Sequence, residues 1–158
     1  DPIIIIGVHH SGTTILAQII EKGGIFIITD MGHYESTLFT LTLNNKLIMK
    51  GQWHSDPIMT EESVMGFQKM FDRFLDESVD EYFKNLGYDG NDRWGFKDPR
   101  VCVLMPLYLK RYPSAKFIHI TRDGQAVYKS LFAKNKSLFE MLIPTQCFFC
   151  FRHMMDLR

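Results

Sequence analysis

The feature that most narrows what this chain can fold into stands at its start. Pro2-Ile3-Ile4-Ile5-Ile6-Gly7-Val8 is an unbroken β-branched run, and a polar, glycine-bearing stretch (residues 9–13) separates it from residues 14–22, where apolar side chains recur at Ile15, Leu16, Ile19 and Ile20. Such a run reads as a strand covered on both faces, which is the situation of a central strand in a parallel sheet. The spacing that follows is helical, and Gly23-Gly24 ends it. The first unit is therefore strand, loop, helix.

The same alternation continues along the chain. Residues 25–28 read as a second short strand, followed by a polar connection and a helix over about residues 35–49; residues 53–59, with Asp56-Pro57, read as a loop. Thr60 is placed to cap a long helix whose apolar face runs Val64, Phe67, Phe71, Phe74, Leu75, Val79, Tyr82 and Phe83, a face that belongs to the core. Residues 93–97 form a strand stopped by Asp98-Pro99, and residues 101–112 a helix in which Pro106 is tolerated only near the first turns. Residues 115–121 read as another buried strand and residues 124–133 as the helix after it. Strands alternating with helices imply a doubly wound α/β fold, a central parallel sheet flanked by helices in three layers, whose ligands bind beyond the C-terminal strand ends. The tail over residues 137–158 reads as helical with a break at Pro144.

Eighteen basic and eighteen acidic residues cancel, so no global field favours a nucleic acid or an anionic membrane, and any anion must be held by a local site. The apolar runs are far shorter than the ~20 residues that cross a bilayer. Three cysteines make no disulfide framework; Cys147 and Cys150 form a C-x-x-C among phenylalanines and read as a buried thiol pair rather than a metal or redox site. Asn135-Lys136-Ser137 matches a glycosylation sequon, a tripeptide common by chance. His54 and His153 show no partner pattern and read as structural.

Gly7-Val8-His9-His10-Ser11-Gly12-Thr13-Thr14 has the G-x-x-x-x-G-x-[ST] spacing of a phosphate-binding loop between strand and helix. Backbone amides of such a loop and the helix N-terminus hold an anion together. Nucleotide triphosphatases place a Lys after the second glycine; here it is Thr13, which argues against ordinary ATP or GTP chemistry. A strand ends at Arg122, and Ser130 follows eight residues later on the next helix, a forked cation and a hydroxyl suited to a second phosphate.

Ser11-Gly12-Thr13-Thr14 after a strand resembles the 5'-phosphosulfate loop of sulfotransferases that use 3'-phosphoadenosine-5'-phosphosulfate (PAPS), and Arg122 with Ser130 resembles that family's 3'-phosphate motif. Trp94-Gly95-Phe96-Lys97-Asp98-Pro99-Arg100 is similar to the Lys-x-Pro strand end of carbohydrate-type members. The family usually carries Lys or Arg before the Ser-Gly-Thr; this chain has His10, whose imidazolium could donate to the leaving phosphate. The resemblance implies a P-loop fold and contacts to PAPS from His9, His10, Ser11, Gly12, Thr13, Thr14, Arg122 and Ser130. It implies Glu35 as the base, with His33 as runner-up. His10 and Lys97 would stabilise charge, and His33 and Arg100 would meet the acceptor. Alternatively, Glu35 is a helix N-terminal residue, and Lys97 and Arg100 pair structurally with Asp98.

Direct transfer needs no metal. The acceptor is a small molecule or glycan, with no nucleic acid and no membrane contact. The resemblance covers about residues 3–132 and implies one domain over residues 1–158 that is incomplete at its C-terminal side, a piece of a longer protein. A P-loop kinase using ATP and a non-catalytic nucleotide-binding protein of the same fold are the rival expectations.

Overall fold

The computed structural model describes residues 1–51 and 59–134. All but Met59 of the loop expected at residues 53–59, with His54, and the sequon at Asn135, the Cys147–Cys150 pair, His153 and the tail over residues 137–158 lie outside them. Four parallel strands form one sheet in the order β2-β3-β1-β4: β1 (Ile3–Gly7), β2 (Phe26–Ile27), β3 (Trp94–Lys97) and β4 (Lys116–Ile120). The Ile-rich first strand is central, with Ile3 registered against Gly95 on one side and Lys116 on the other. Gly95 is required there because a Cβ would collide with the Ile3 carbonyl oxygen.

Side chains alternate across a strand, so β1 feeds two cores. Ile4 and Ile6 join Phe96, Leu104, Leu107, Phe71 and Leu75 in the larger one, beneath α3 (Glu61–Asn85) and α4 (Val101–Arg111). Ile5 joins Ala17 and Ile27 in the smaller one, beneath α1 (Thr13–Lys22). Helices thus lie on both faces of the sheet, the three-layer α/β architecture that the alternating pattern implies. Thr60 caps α3 by accepting from the Ser63 amide at 3.2 Å, and the apolar face from Val64 to Phe83 packs into the larger core. Among the described residues, no helix is long and apolar enough to cross a membrane.

Several elements depart from the sequence pattern. The helix expected over residues 35–49 starts two residues late and in a wider winding: Gly32–Tyr34 make one tight 3-10 turn, Glu35 is extended, Ser36 caps a π-helix (Thr37–Asn44), and α2 (Asn45–Lys50) continues it. Glu35 is therefore not a helix N-terminal residue. The wider π turn goes with complete burial of Phe39, which stacks on Phe96 at 4.3 Å between ring centres, and of Asn44, which bonds inward. Pro106, as expected, sits near the first turns of α4, sixth in the helix; it forgoes one backbone hydrogen bond, which burial of Val101, Leu104, Leu107 and Tyr108 on that helix offsets. β4, expected to be buried, is only half covered, with Lys116 and His119 exposed, because it is the last strand of the sheet among the described residues.

Candidate functional site

The C-terminal ends of all four strands carry the polar residues, and the loop after β1 shows why its glycines are needed. A Cβ on Gly7 would lie 2.6 Å from the Ile120 carbonyl oxygen of β4, so only glycine lets the two strands stay paired to their ends. Gly12, the N-cap of α1, takes a left-handed φ of 108°. His10 is left-handed as well, at 65°, an uncommon conformation for a residue with a side chain. The Ser11 amide donates to the Val8 carbonyl at 3.1 Å, closing the turn.

The Ser11 hydroxyl is buried with no hydrogen-bond partner, and α1 has neither a side-chain cap nor an acidic residue in its first turn. A buried hydroxyl without a partner is costly, and the amides at a helix N-terminus favour an anion. These features fit a phosphate or phosphosulfate in the loop. Thr13 is buried, whereas the Thr14 hydroxyl donates to the His33 carbonyl at 3.2 Å, so that proton is already committed.

Arg122 lies two residues beyond β4, and Ser130 lies on α5 (Gly124–Lys134). Arg122 Nη1 donates to the His10 carbonyl at 2.9 Å, and His10 Nδ1 stands 3.2 Å from Ser130 Oγ. The loop after β1 and the 122–130 segment, more than a hundred residues apart in sequence, therefore meet at one residue. His10 faces Ser130, a neighbour that the sequence did not assign to it.

Lys97 ends β3, almost fully buried, and its ammonium lies 3.3 Å from Glu35 Oε1. Glu35 arrives from the connection after β2, the strand beside β3, so adjacent strand ends bring the two together. His9 is half-buried close by. Loss of hydration, then the positive charge of Arg100, push its pKa down to about 4 against the opposing pull of Asp98 and Glu35. A pKa that low leaves the imidazole neutral at pH 7, so His9 brings no positive charge to the strand ends. His33 is exposed, its backbone carbonyl held by Thr14.

Asp98 is fully buried and accepts from Asn44 Nδ2 at 2.9 Å, the Arg100 amide at 2.9 Å and Arg100 Nη1 at 3.0 Å. Tyr108 donates to Asn44 Oδ1 at 2.8 Å, and burial keeps that phenol's pKa well above its ordinary value, so it remains a donor. Of the two cations that could pair with Asp98, Arg100 does so and Lys97 does not. Arg100 Nε is buried without a partner.

Sequence reading, through spacing and the family resemblance, drew attention to Glu35, Lys97, Arg100, Arg122, Ser130 and the loop from His9 to Thr14; all but Ser130, which lies on α5, follow directly on a strand end or its connection. It missed Asn44 and Tyr108, 54 and 64 residues from their partners, for which no local pattern exists. It also missed Tyr34 and Glu21, whose hydroxyl-to-carboxylate bond is 2.6 Å long. A family model described as the sulfotransferase family matches residues 2–147. Comparison with curated proteins finds no match, and comparison with solved structures finds none.

Proposed function

Because this chain belongs to the sulfotransferase family, we propose that it moves a sulfuryl group from PAPS to a hydroxyl or amine of a small-molecule or glycan acceptor. The observation that carries this choice of donor is the meeting at His10. One nucleotide with phosphates at its 3' and 5' positions needs two anion grips in one place, and Arg122 and Ser130 touch the same residue of the loop after β1. In this reading the amides of Gly12, Thr13 and Thr14, with the Ser11 hydroxyl and His9, hold the 5' end. Arg122 and Ser130 hold the 3' phosphate.

PAPS supplies a labile sulfur–oxygen bond; when the acceptor oxygen or nitrogen bonds to sulfur, that bond breaks and 3'-phosphoadenosine 5'-phosphate departs with the negative charge. Glu35 takes the acceptor's proton, and Lys97 neutralises charge on the group in flight while keeping Glu35 in place through the 3.3 Å contact. His10 donates toward the departing phosphate. His33 and Arg100 face the acceptor. No metal is needed for these steps.

Isothermal titration tests the donor. 3'-Phosphoadenosine 5'-phosphate is expected to bind without metal and more tightly than ATP with Mg²⁺, and Arg122→Ala to weaken it by about 10- to 100-fold, the loss of a charge-assisted fork. A preference for ATP with Mg²⁺ would replace this proposal with a kinase. Binding without transfer to any of a panel of glycans, phenols and amines would replace it with a nucleotide-binding protein.

A further inference from the structure

The connection that carries Glu35 is held in a conformation it would not keep alone. His33 and Tyr34 are consecutive residues with left-handed φ of 63° and 58°, and neither is glycine. Each such residue costs free energy and persists only where its surroundings over-determine it. The Gly32–Tyr34 turn has no buried residue to supply that. What surrounds it is α1. The His33 carbonyl accepts from Thr14 Oγ1 in the first turn of that helix, and the Tyr34 hydroxyl donates to Glu21 Oε2 in its last turn. Tyr34 also packs against the smaller core, to which α1 contributes Ala17.

One step further on, the Glu35 carbonyl is gathered by the amides of Asp30 and Met31 and by the Thr29 hydroxyl, at 3.1–3.2 Å. Asp30 in turn accepts from the Thr37 amide at 2.7 Å. The backbone of Glu35 is thus fixed inside a closed loop, and the orientation of that loop is set from α1.

From this geometry we propose that Tyr34 and Glu21 are positioning residues. Their bond braces the Glu35 loop against α1, so that an anion ordering the N-terminus of α1 also orders Glu35. The proposal rests on the assignment of Glu35 as base, and it adds a coupling between the donor loop and the base. Neither Tyr34 nor Glu21 touches donor or acceptor in it.

Hydrogen exchange of residues 29–36, with and without 3'-phosphoadenosine 5'-phosphate, reads the brace directly in the parent, Tyr34→Phe and Glu21→Ala. Tyr34→Phe keeps the ring packing and removes only the hydroxyl. Exchange at Asp30 and Met31 is expected to speed up by about five- to tenfold in either variant without ligand. The added protection that the nucleotide confers on this segment in the parent is expected to vanish, while nucleotide affinity changes less than twofold.

In transfer assays kcat is expected to fall by about fivefold with donor KM held. Glu21→Gln, which still accepts the bond, restores most of it, and Tyr34→Phe costs nothing further in a Glu35→Gln background. Unchanged exchange in Tyr34→Phe overturns the brace, as does an equal kcat loss with and without Glu35. A parent that fails to bind the nucleotide overturns the proposed donor instead, and the ligand-free exchange still decides the brace.

Discussion

At the end of β3, Lys97 reaches Glu35 through a single contact of 3.3 Å, and Glu35 is 18% exposed. One residue on, Asp98 is fully buried and takes three hydrogen bonds of 2.9–3.0 Å, with Tyr108 securing the Asn44 that supplies one of them. Both strand-end groups meet other residues, yet only the Asp98 carboxylate is held through both of its oxygens. A buried charge held by several short bonds stands as scaffold, since any exchange of partner would strand it. Glu35, the more exposed partner of a single longer contact, can turn from the buried Lys97 toward a substrate that brings its own negative charge to that ammonium. The two neighbours teach where this site is rigid and where it is available for chemistry.

Three substitutions press on that contrast. Glu35→Gln is expected to cut kcat for transfer from PAPS by about 10²–10⁴-fold, while the denaturant midpoint hardly moves. Unchanged kcat in steady-state assays would remove Glu35 from the chemistry and erase the difference between the pairs. Asp98→Ala is expected to do the reverse, lowering unfolding free energy by about 3–5 kcal/mol, because Arg100 and Asn44 lose the acceptor they were folded around. Urea titration measures it, and a loss below about 1 kcal/mol would mean the network is not scaffold.

The smallest effect belongs to His9, which sits between the two pairs and feels both. Its folded pKa of about 4 lies below the unfolded value of about 6.5, so the unfolded chain binds the extra proton as pH falls. The His9 contribution is intact above about pH 6.5 and is lost progressively toward pH 4. His9→Gln is expected to flatten that part of the stability profile by roughly 1–3 kcal/mol, read as the difference between the two proteins in urea titrations at pH 4.5 and 7. A parallel offset at both pH values would show that His9 is not held neutral by this setting.

The split between legible and illegible features follows from range. Local order is written locally. The Ile run, the helix face from Val64 to Phe83, the Thr60 cap and the two glycines of the loop each act within a turn or a strand, and each appears where the spacing places it. Over residues 35–49 apolar spacing places a helix but cannot tell an α-helix from a π-helix, and before it nothing announces two left-handed residues that lack glycine. Those choices were made by Phe96, Thr14 and Glu21, partners from other strands and helices.

By itself, the order of residues determined the α/β class and the central place of β1, because periodicity and glycine placement are properties of short stretches; Glu35, Lys97, Arg122 and Ser130 were marked by the family resemblance. Only the tertiary structure decided who pairs with whom across the chain: Lys97 with Glu35, Asn44 with Asp98, His10 with Ser130, Tyr34 with Glu21. Hydrogen bonds and ion pairs act over about 3 Å, and which groups come that close depends on how parallel strands distant in sequence align their ends.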